Sequence, residues 1–134
     1  MDDFNFNNPE LYLNRELSLL EFNWRVLQQA LDNDIPLLER LNYLCISSTN
    51  LDEFFEVRVA GLIQQIEIGD PHLEADLLPA HDTLKLISTR AHELVDEQYR
   101  ILNNILLPAL AKESIQTLPR AKWTDEQRTW LHQY

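Results

Sequence analysis

The chain has 134 residues, 45% of them hydrophobic, with only two glycines and a formal net charge of −11 at pH 7. Its length suits one domain with one hydrophobic core, and its apolar fraction excludes a disordered or low-complexity chain. Scarce glycine and few β-branched runs favour helix over sheet. Because an acidic surface repels nucleic acid, we expect no nucleic-acid partner.

Cys45 is the single cysteine, so an intramolecular disulfide is impossible and a reducing compartment is expected. The residue lies in the apolar run 43–46, which predicts a buried, inert thiol. The N-terminal residues are acidic and lack the apolar segment of a signal peptide, and no transmembrane segment is predicted. We therefore expect a cytoplasmic protein.

Residues 1–16 are rich in asparagine and acidic side chains and predict a loose N-terminal arm before a helical domain over 17–113. The first helix is predicted to begin at Ser18, because Ser18 and Glu21 have the spacing of a capping box. It carries two adjoining apolar stripes, which favour burial against two neighbours. The stripes are Leu20, Trp24, Leu27 and Leu31, and Leu19, Phe22, Val26 and Ala30.

A second helix is predicted from Pro36, a residue that suits a first helical turn. The polar residues 47–50 predict a break, and a third helix over 51–68 follows with Asn50 as its N-cap. Residues 69–72 are a turn signal. The side chains expected in the core from the second helix are Leu37, Leu38, Leu41, Leu44 and Cys45.

A long helix is predicted from Pro79 to Leu107, where Pro108 ends or kinks it. Residues 114–122 lack helical periodicity and predict a linker, after which Thr124 opens a further helix with a capping box. The fold class is all-α, a bundle of about four helices with one long C-terminal helix. Residues 114–134 are expected to lead into a next domain that this chain does not contain.

Arg58 is the first candidate for a functional residue. On a helical wheel it falls inside the apolar arc of the third helix, between Phe54 and Leu62. A guanidinium there must extend to solvent, pair with a carboxylate, or meet a ligand anion. The ordinary outcome is an inter-helical ion pair, and the sequence leaves the ligand role open.

Asn50 presents a similar choice. As an N-cap its side chain would satisfy a free amide of the first turn, worth about 1 kcal/mol. The same position places a carboxamide at the positive end of a helix dipole, where polar or anionic ligands are favoured. Local chemistry leaves both roles open.

No catalytic or metal-binding constellation is recognisable in the rest of the sequence. The chain has no glycine-rich phosphate loop and no local Ser/His/Asp signature. Its histidines lack metal-ligand spacing, so we predict no catalytic residue and no metal site. The histidines are His72, His81, His92 and His132.

Two stretches resemble the bacterial type-1 polyphosphate kinases. The first is Leu11–Ser18 with Phe22–Leu27, and the second is Pro36–Leu41 with Ile46–Arg58. The most specific part is the segment Asn-Leu-Asp-Glu-Phe, residues 50–54, with the Val-x-Arg that ends at Arg58. Weaker similarity returns in residues 106–110 and 124–131.

The resemblance implies the N-terminal helical domain of an enzyme that reversibly transfers the terminal phosphate of ATP to polyphosphate, with Mg²⁺. It places the catalytic histidine and the phosphate-binding cations in C-terminal domains. This chain alone is therefore predicted to be inactive and to bind no cofactor tightly. It is implied to form one wall of the nucleotide site, with Asn50 contacting ATP and Arg58 as a secondary ligand or ion-pair residue.

The resemblance also implies partners: ATP, polyphosphate, the other domains of the same chain, and further copies in a homo-oligomer. A peripheral position at the inner membrane is compatible with it. The alternative hypothesis is a stand-alone helical module for interaction or self-association. In that case the aromatic residues Trp123, Trp130 and Tyr134 would form the contact surface.

Overall fold

The structure is a computed structural model that describes residues 14–69 and 80–133, and every regular element in these ranges is helical. The predicted all-α class is confirmed. Most of the predicted N-terminal arm, the turn after residue 69 and Pro79 lie outside the described residues. The α-helices are α1 (Arg15–Gln28), α2 (Leu37–Glu53), α3 (Ala60–Ile68), α4 (Ala80–Ile101), α5 (Leu107–Lys112) and α6 (Asp125–His132).

The first helix begins one turn earlier than predicted. Asn14 is its N-cap, and the side-chain oxygen Oδ1 of Asn14 accepts a hydrogen bond from the backbone N–H of Leu17 at 3.0 Å. The backbone N–H of Ser18 already donates within the helix, to the carbonyl of Asn14 at 3.0 Å. The predicted cap at Ser18 is therefore wrong, because an asparagine four residues upstream caps the first turn instead.

Residues 47–50 do not break the second helix, and α2 runs through them. Two of their three hydroxyl groups have partners: Thr49 Oγ1 donates to the carbonyl of Cys45 at 3.1 Å, and Ser47 Oγ accepts from Gln98 Nε2 at 3.0 Å. Polar side chains that are bonded in this way no longer compete with the helical hydrogen bonds of the main chain. The predicted break is wrong for this reason.

A π-helical turn, Phe54–Val59, joins α2 directly to α3, so residues 37–68 form one continuous helical rod. A π turn pairs residues five apart, and the side chains after it point in other directions than an α-helical wheel predicts. The rod ends at Gly69, which has a φ of +70° and whose N–H donates to the carbonyl of Ile66 at 3.1 Å. Glycine adopts this left-handed conformation without the strain that a side chain would bring.

The buried face of α2 also differs from the predicted one. Leu44 is buried as expected, whereas Cys45 is exposed and Leu38 is 57% exposed. Arg40 and Ser47 are buried on this face instead, because hydrogen-bonding groups of other helical segments satisfy their polar side chains. The prediction that Cys45 is buried is therefore wrong.

Pro108 does not end the long helix. A second π turn, Leu102–Leu106, follows α4, and α5 then continues to Lys112 with Pro108 in its first turn. A proline lacks the N–H that α-helical pairing uses, and Pro108 directly follows the π turn, where that pairing is already interrupted. The helical path therefore extends past the predicted end at Leu107.

The hydrophobic core lies between α1, α2 and α4. Each contributes one apolar stripe, and α4 supplies the longest, with Leu94 and Ile101 fully buried. No helix in the described ranges is long and apolar enough to cross a membrane. The core residues are Leu20, Leu27, Ala30, Leu44, Leu51, Phe54, Val59, Leu62, Ile87, Ala91, Leu94, Ile101 and Leu106.

The C-terminal segment follows its prediction closely. Residues 115–119 have no regular structure, a short 3₁₀ turn, Arg120–Lys122, falls within the predicted linker, and α6 begins after Thr124 with a complete capping box. Thr124 Oγ1 accepts from the N–H of Gln127 at 3.2 Å, and the side chain of Gln127 accepts from the N–H of Thr124 at 2.9 Å. The described residues of α6 are all exposed. The domain boundaries at 16 and 113 remain predictions.

Candidate functional site

A groove of about 270 Å³ lies between α1 and the rod formed by α2 and its π turn. Both residues singled out from the sequence, Asn50 and Arg58, line it. They are eight residues apart on one rod, and the groove brings them together with the apolar side chains of α1. The lining residues are Leu19, Leu20, Phe22, Asn23, Asn50, Glu53, Phe54, Val57 and Arg58.

Asn50 lies inside α2 and is not an N-cap. Its side chain is partly buried, and Nδ2 donates to Oδ1 of Asn23 on α1 at 3.4 Å, the long end of the hydrogen-bond range. The cap hypothesis is therefore wrong, and with it the argument from a helix dipole at this position. What remains is a carboxamide at the edge of a groove, held by one hydrogen bond to a neighbouring helix.

Asn23 is a component of the groove that the sequence prediction missed. It is only 4% exposed, and its Nδ2 donates to the backbone carbonyl of Ser47 at 2.9 Å. Ser47 is in turn bonded to α4 through Gln98. The available signal was positional: Asn23 lies three residues after Leu20 and four before Leu27, on the stripe that α1 buries.

Arg58 is exposed, although the helical wheel placed it within an apolar arc. The π turn that contains it shifts the side chains of residues 54–59 relative to an α-helix, so Arg58 leaves the apolar arc while Val59, a member of that arc, stays buried. Within the described residues no carboxylate lies at ion-pair distance from the guanidinium of Arg58. Its charge is therefore available at the groove, on the same wall as Asn50.

Apart from Asn23 and the exposed carboxylate of Glu53, the remaining lining is apolar, and part of it is accessible. Phe22 is 53% exposed and Val57 is 59% exposed, so the second stripe predicted for α1 is only partly buried. The guanidinium of Arg25 lies 5.6 Å from the centre of the Phe22 ring. Such a surface can pack a planar ring, hydrogen-bond to it through Asn50 and attract an anion through Arg58.

The side of α1 away from the groove is fixed to α4 by an ion pair. Arg90 Nη2 donates to Glu21 Oε2 at 3.0 Å, and the guanidinium stacks 4.3 Å from the centre of the Trp24 ring. The hydrogen bond from Arg90 lowers the pKa of Glu21 below its ordinary value. Glu21, predicted as part of a capping box, thus connects two helices instead.

A second cavity lies at the C-terminal end of the described chain, with a volume of about 740 Å³. Trp123 lines it, held by a hydrogen bond from Nε1 to the carbonyl of Leu118 at 2.8 Å. Trp130 is 61% exposed, and Tyr134 lies outside the described residues. In the ranges that the structure describes, no three histidine, cysteine or acidic side chains come together as a metal site would require.

Comparison with known proteins gives a consistent result. The family model described as polyphosphate kinase N-terminal domain matches residues 12–118. The polyphosphate kinase of Pseudomonas syringae pv. tomato is 51% identical over 130 residues, which cover 97% of this chain and 18% of that protein. The polyphosphate kinase of Pseudomonas aeruginosa is 52% identical over 128 residues, 96% of this chain and 19% of that protein.

A more distant relative, the polyphosphate kinase of Xylella fastidiosa, is 48% identical over 129 residues, 96% of this chain and 18% of that protein. The chain thus spans less than a fifth of the length of these curated relatives. No solved structure matches the chain significantly.

Proposed function

Because the chain belongs to the polyphosphate kinase N-terminal domain family, we propose that it forms one wall of the nucleotide site in an ATP:polyphosphate phosphotransferase. The observation that carries the proposal is the groove in which Asn50 and Arg58 meet an apolar surface. In this arrangement the nucleoside packs on the side chains around Phe22, Asn50 hydrogen-bonds to it, and Arg58 faces the anionic part of the ligand.

The charge of the chain supports a division of labour within the whole protein. Phosphoryl transfer requires cationic groups and a metal ion that stabilise negative charge spread over the transferring phosphate. A chain with a net charge of −11 is poorly suited to that centre. We assign the histidine that carries the phosphate, the cations and the residues that bind Mg²⁺ to other parts of a longer cytoplasmic enzyme.

The first prediction concerns Asn50. In the full-length protein, Asn50→Ala removes the hydrogen-bonding group from the groove and is expected to raise the KM for ATP about tenfold, the effect of losing one to two hydrogen bonds. The matched control is Asn42→Ala, since Asn42 is an exposed asparagine on the same helix and does not line the groove. The measurement is steady-state kinetics at saturating polyphosphate, together with the melting temperature.

An unchanged KM for ATP with a lowered melting temperature would contradict this proposal. Asn50 would then serve only to connect α2 with α1.

The second prediction concerns Arg58. Arg58→Gln keeps a polar side chain, although a shorter one, and removes the charge. It is expected to weaken the binding of ATP more than the binding of adenosine, both measured by competition for the nucleotide site. The reason is that a guanidinium interacts with the phosphates and hardly at all with the nucleoside. Equal losses for ATP and adenosine would contradict a role for Arg58 beside the phosphates.

A further inference from the structure

We infer that Asn23 is a positioning residue that fixes the orientation of the Asn50 carboxamide, so that Asn50 presents a hydrogen-bond acceptor to the groove. The inference rests on the proposed function, since it concerns the same groove. It assigns a role to a buried side chain on α1 and specifies the chemistry of the ligand group that Asn50 meets.

The orientation of the Asn23 amide is fixed by its hydrogen bond to the main chain of α2. The carbonyl oxygen of Ser47 can only accept, so the atom of Asn23 that faces it at 2.9 Å must be the donor, Nδ2. Asn23 is 4% exposed and Ser47 is fully buried, so a reversed amide would place two acceptors against each other away from solvent. An unpaired buried contact of that kind costs about 1–3 kcal/mol, which is enough to hold one orientation.

The orientation of the Asn23 amide determines that of the Asn50 carboxamide. With Nδ2 of Asn23 committed to Ser47, the atom that remains for Asn50 is the acceptor Oδ1. Asn50 must therefore direct its own Nδ2 toward Asn23, at 3.4 Å. Its Oδ1 then points away from Asn23, on the side of the groove, together with the second N–H of the amide.

Ser47, which accepts from Asn23, is also hydrogen-bonded to α4. Gln98 Nε2 donates to the hydroxyl of Ser47 at 3.0 Å, and both residues are buried. Ser47 thus receives hydrogen bonds from α1 at its carbonyl and from α4 at its hydroxyl. The carbonyl that accepts from Nδ2 of Asn23 therefore belongs to a helix, α2, that is hydrogen-bonded to both α1 and α4.

An acceptor at Asn50 favours a ligand group that donates a hydrogen bond. A carboxamide pairs with adenine by accepting from the exocyclic amine and donating to a ring nitrogen. A sugar hydroxyl can also donate to the Asn50 oxygen. A 6-oxopurine offers an acceptor where adenine offers the amine, so it would face the oxygen of Asn50 unfavourably as long as Asn23 prevents the amide from turning over.

The test uses the full-length protein and compares kcat/KM for four nucleotides: ATP, inosine triphosphate, 2′-deoxy-ATP and 3′-deoxy-ATP. Asn23→Leu removes the acceptor that orients Asn50 and lets its amide turn over. The preference for ATP over one of the three analogues is expected to fall about tenfold, within the range that one directed base contact contributes. A fall against inosine triphosphate identifies the amine as the donor, and a fall against a deoxy analogue identifies the hydroxyl.

Two variants serve as controls. Asn23→Asp retains an oxygen that accepts from Asn50, so it should keep the wild-type preferences even where it lowers the melting temperature. Asn42→Ala, at an exposed position of α2 that does not line the groove, should also keep them. If Asn23→Leu does not fold, Asn23→Ala removes the same acceptor and is judged by the same ratios.

Unchanged nucleotide preferences in Asn23→Leu or Asn23→Ala would overturn the inference. If Asn50→Ala still raises the KM for ATP in that case, the proposed function stands and only the orienting role of Asn23 is lost. If Asn50→Ala leaves the KM unchanged, the proposed function itself has failed.

Discussion

Single buried polar residues decide much of the local structure of this domain. Arg40 is 9% exposed, and its Nε donates to the carbonyl of Ala30 at 2.8 Å. Its Nη1 donates to Oδ1 of Asn33 at 3.2 Å, so one side chain of α2 satisfies groups in and just after the short 3₁₀ helix Gln29–Leu31 that follows α1. Asn23 has the equivalent position at the groove, where it connects α1 with α2.

Replacing Arg40 should therefore destabilise the chain measurably. Arg40→Met keeps the aliphatic length and removes both hydrogen bonds, and we expect the free energy of unfolding to fall by about 2 kcal/mol. Urea unfolding followed by circular dichroism gives this value. Arg128→Met on the exposed helix α6 is the control and should change stability by less than about 0.5 kcal/mol. Equal effects of the two substitutions would contradict the role assigned to Arg40.

The ion pair between Glu21 and Arg90 predicts a dependence on pH. The pKa of Glu21 is lowered from 4.5, so the folded state binds the proton more weakly than the unfolded state does. The stabilisation is therefore present at pH values well above the ordinary pKa of the carboxyl group and is lost as the pH falls through the lower pKa of the folded state. Because the side chain of Glu21 is 48% exposed, we expect only about 0.5 kcal/mol.

The measurement compares wild type with Glu21→Gln between pH 7 and pH 3. The difference in unfolding free energy should be present at neutral pH and should narrow as the pH falls, because wild-type Glu21 then takes up its proton. Glu56→Gln, at an exposed position without a described partner, is the control. A difference that grows toward low pH would contradict the account.

At the scale of helices, the two π turns determine which side chains reach the core and which reach the groove. The turn at Phe54–Val59 leaves Arg58 exposed at the groove, although an α-helical wheel places it within the apolar arc, whereas Val59, which belongs to that arc, is buried in the core. Local sequence could not predict the continuous helix that leads into this turn, because Asn, Ser and Thr at 47–50 usually interrupt a helix. Their partners, Asn23 and Gln98, are 24 and 51 residues away from Ser47.

The central position of α4 yields a prediction at the same scale. Leu94 is fully buried between the helices, so Leu94→Ala should lower the free energy of unfolding by about 3 kcal/mol through lost burial and the cavity left behind. Leu86 lies on the same helix and is 45% exposed. Leu86→Ala should cost less than about 1 kcal/mol in the same unfolding experiment, and a reversed order would contradict the core described above.

For the whole molecule, the sequence predicted the helical class, the capping box at Thr124 and the family. These depend on composition and on neighbouring residues. It also singled out Asn50 and Arg58, which both line the groove, but it predicted a helix cap for Asn50 and an apolar environment for Arg58, and the structure shows neither. Asn23 was not predicted, because a lone asparagine among apolar residues gains its role only from helices that are distant in sequence.

The whole-molecule account also predicts what this chain cannot do alone. The purified 134-residue chain should transfer no phosphate from ATP to polyphosphate, since we assign the reacting groups to other parts of a longer protein. Incorporation of labelled phosphate into acid-insoluble polymer measures this directly. Synthesis above that of a heat-denatured sample would contradict the assignment.

The claim that ATP occupies the groove is tested most directly by the reactivity of a thiol placed there. In full-length Val57→Cys, the new cysteine lies in the groove, and the exposed Cys45, which does not line it, serves as an internal reference. Alkylation of both positions is followed by peptide mass spectrometry with and without saturating ATP. The account predicts that ATP slows alkylation at position 57 and leaves Cys45 unchanged. Equal rates at position 57 with and without ATP would contradict it.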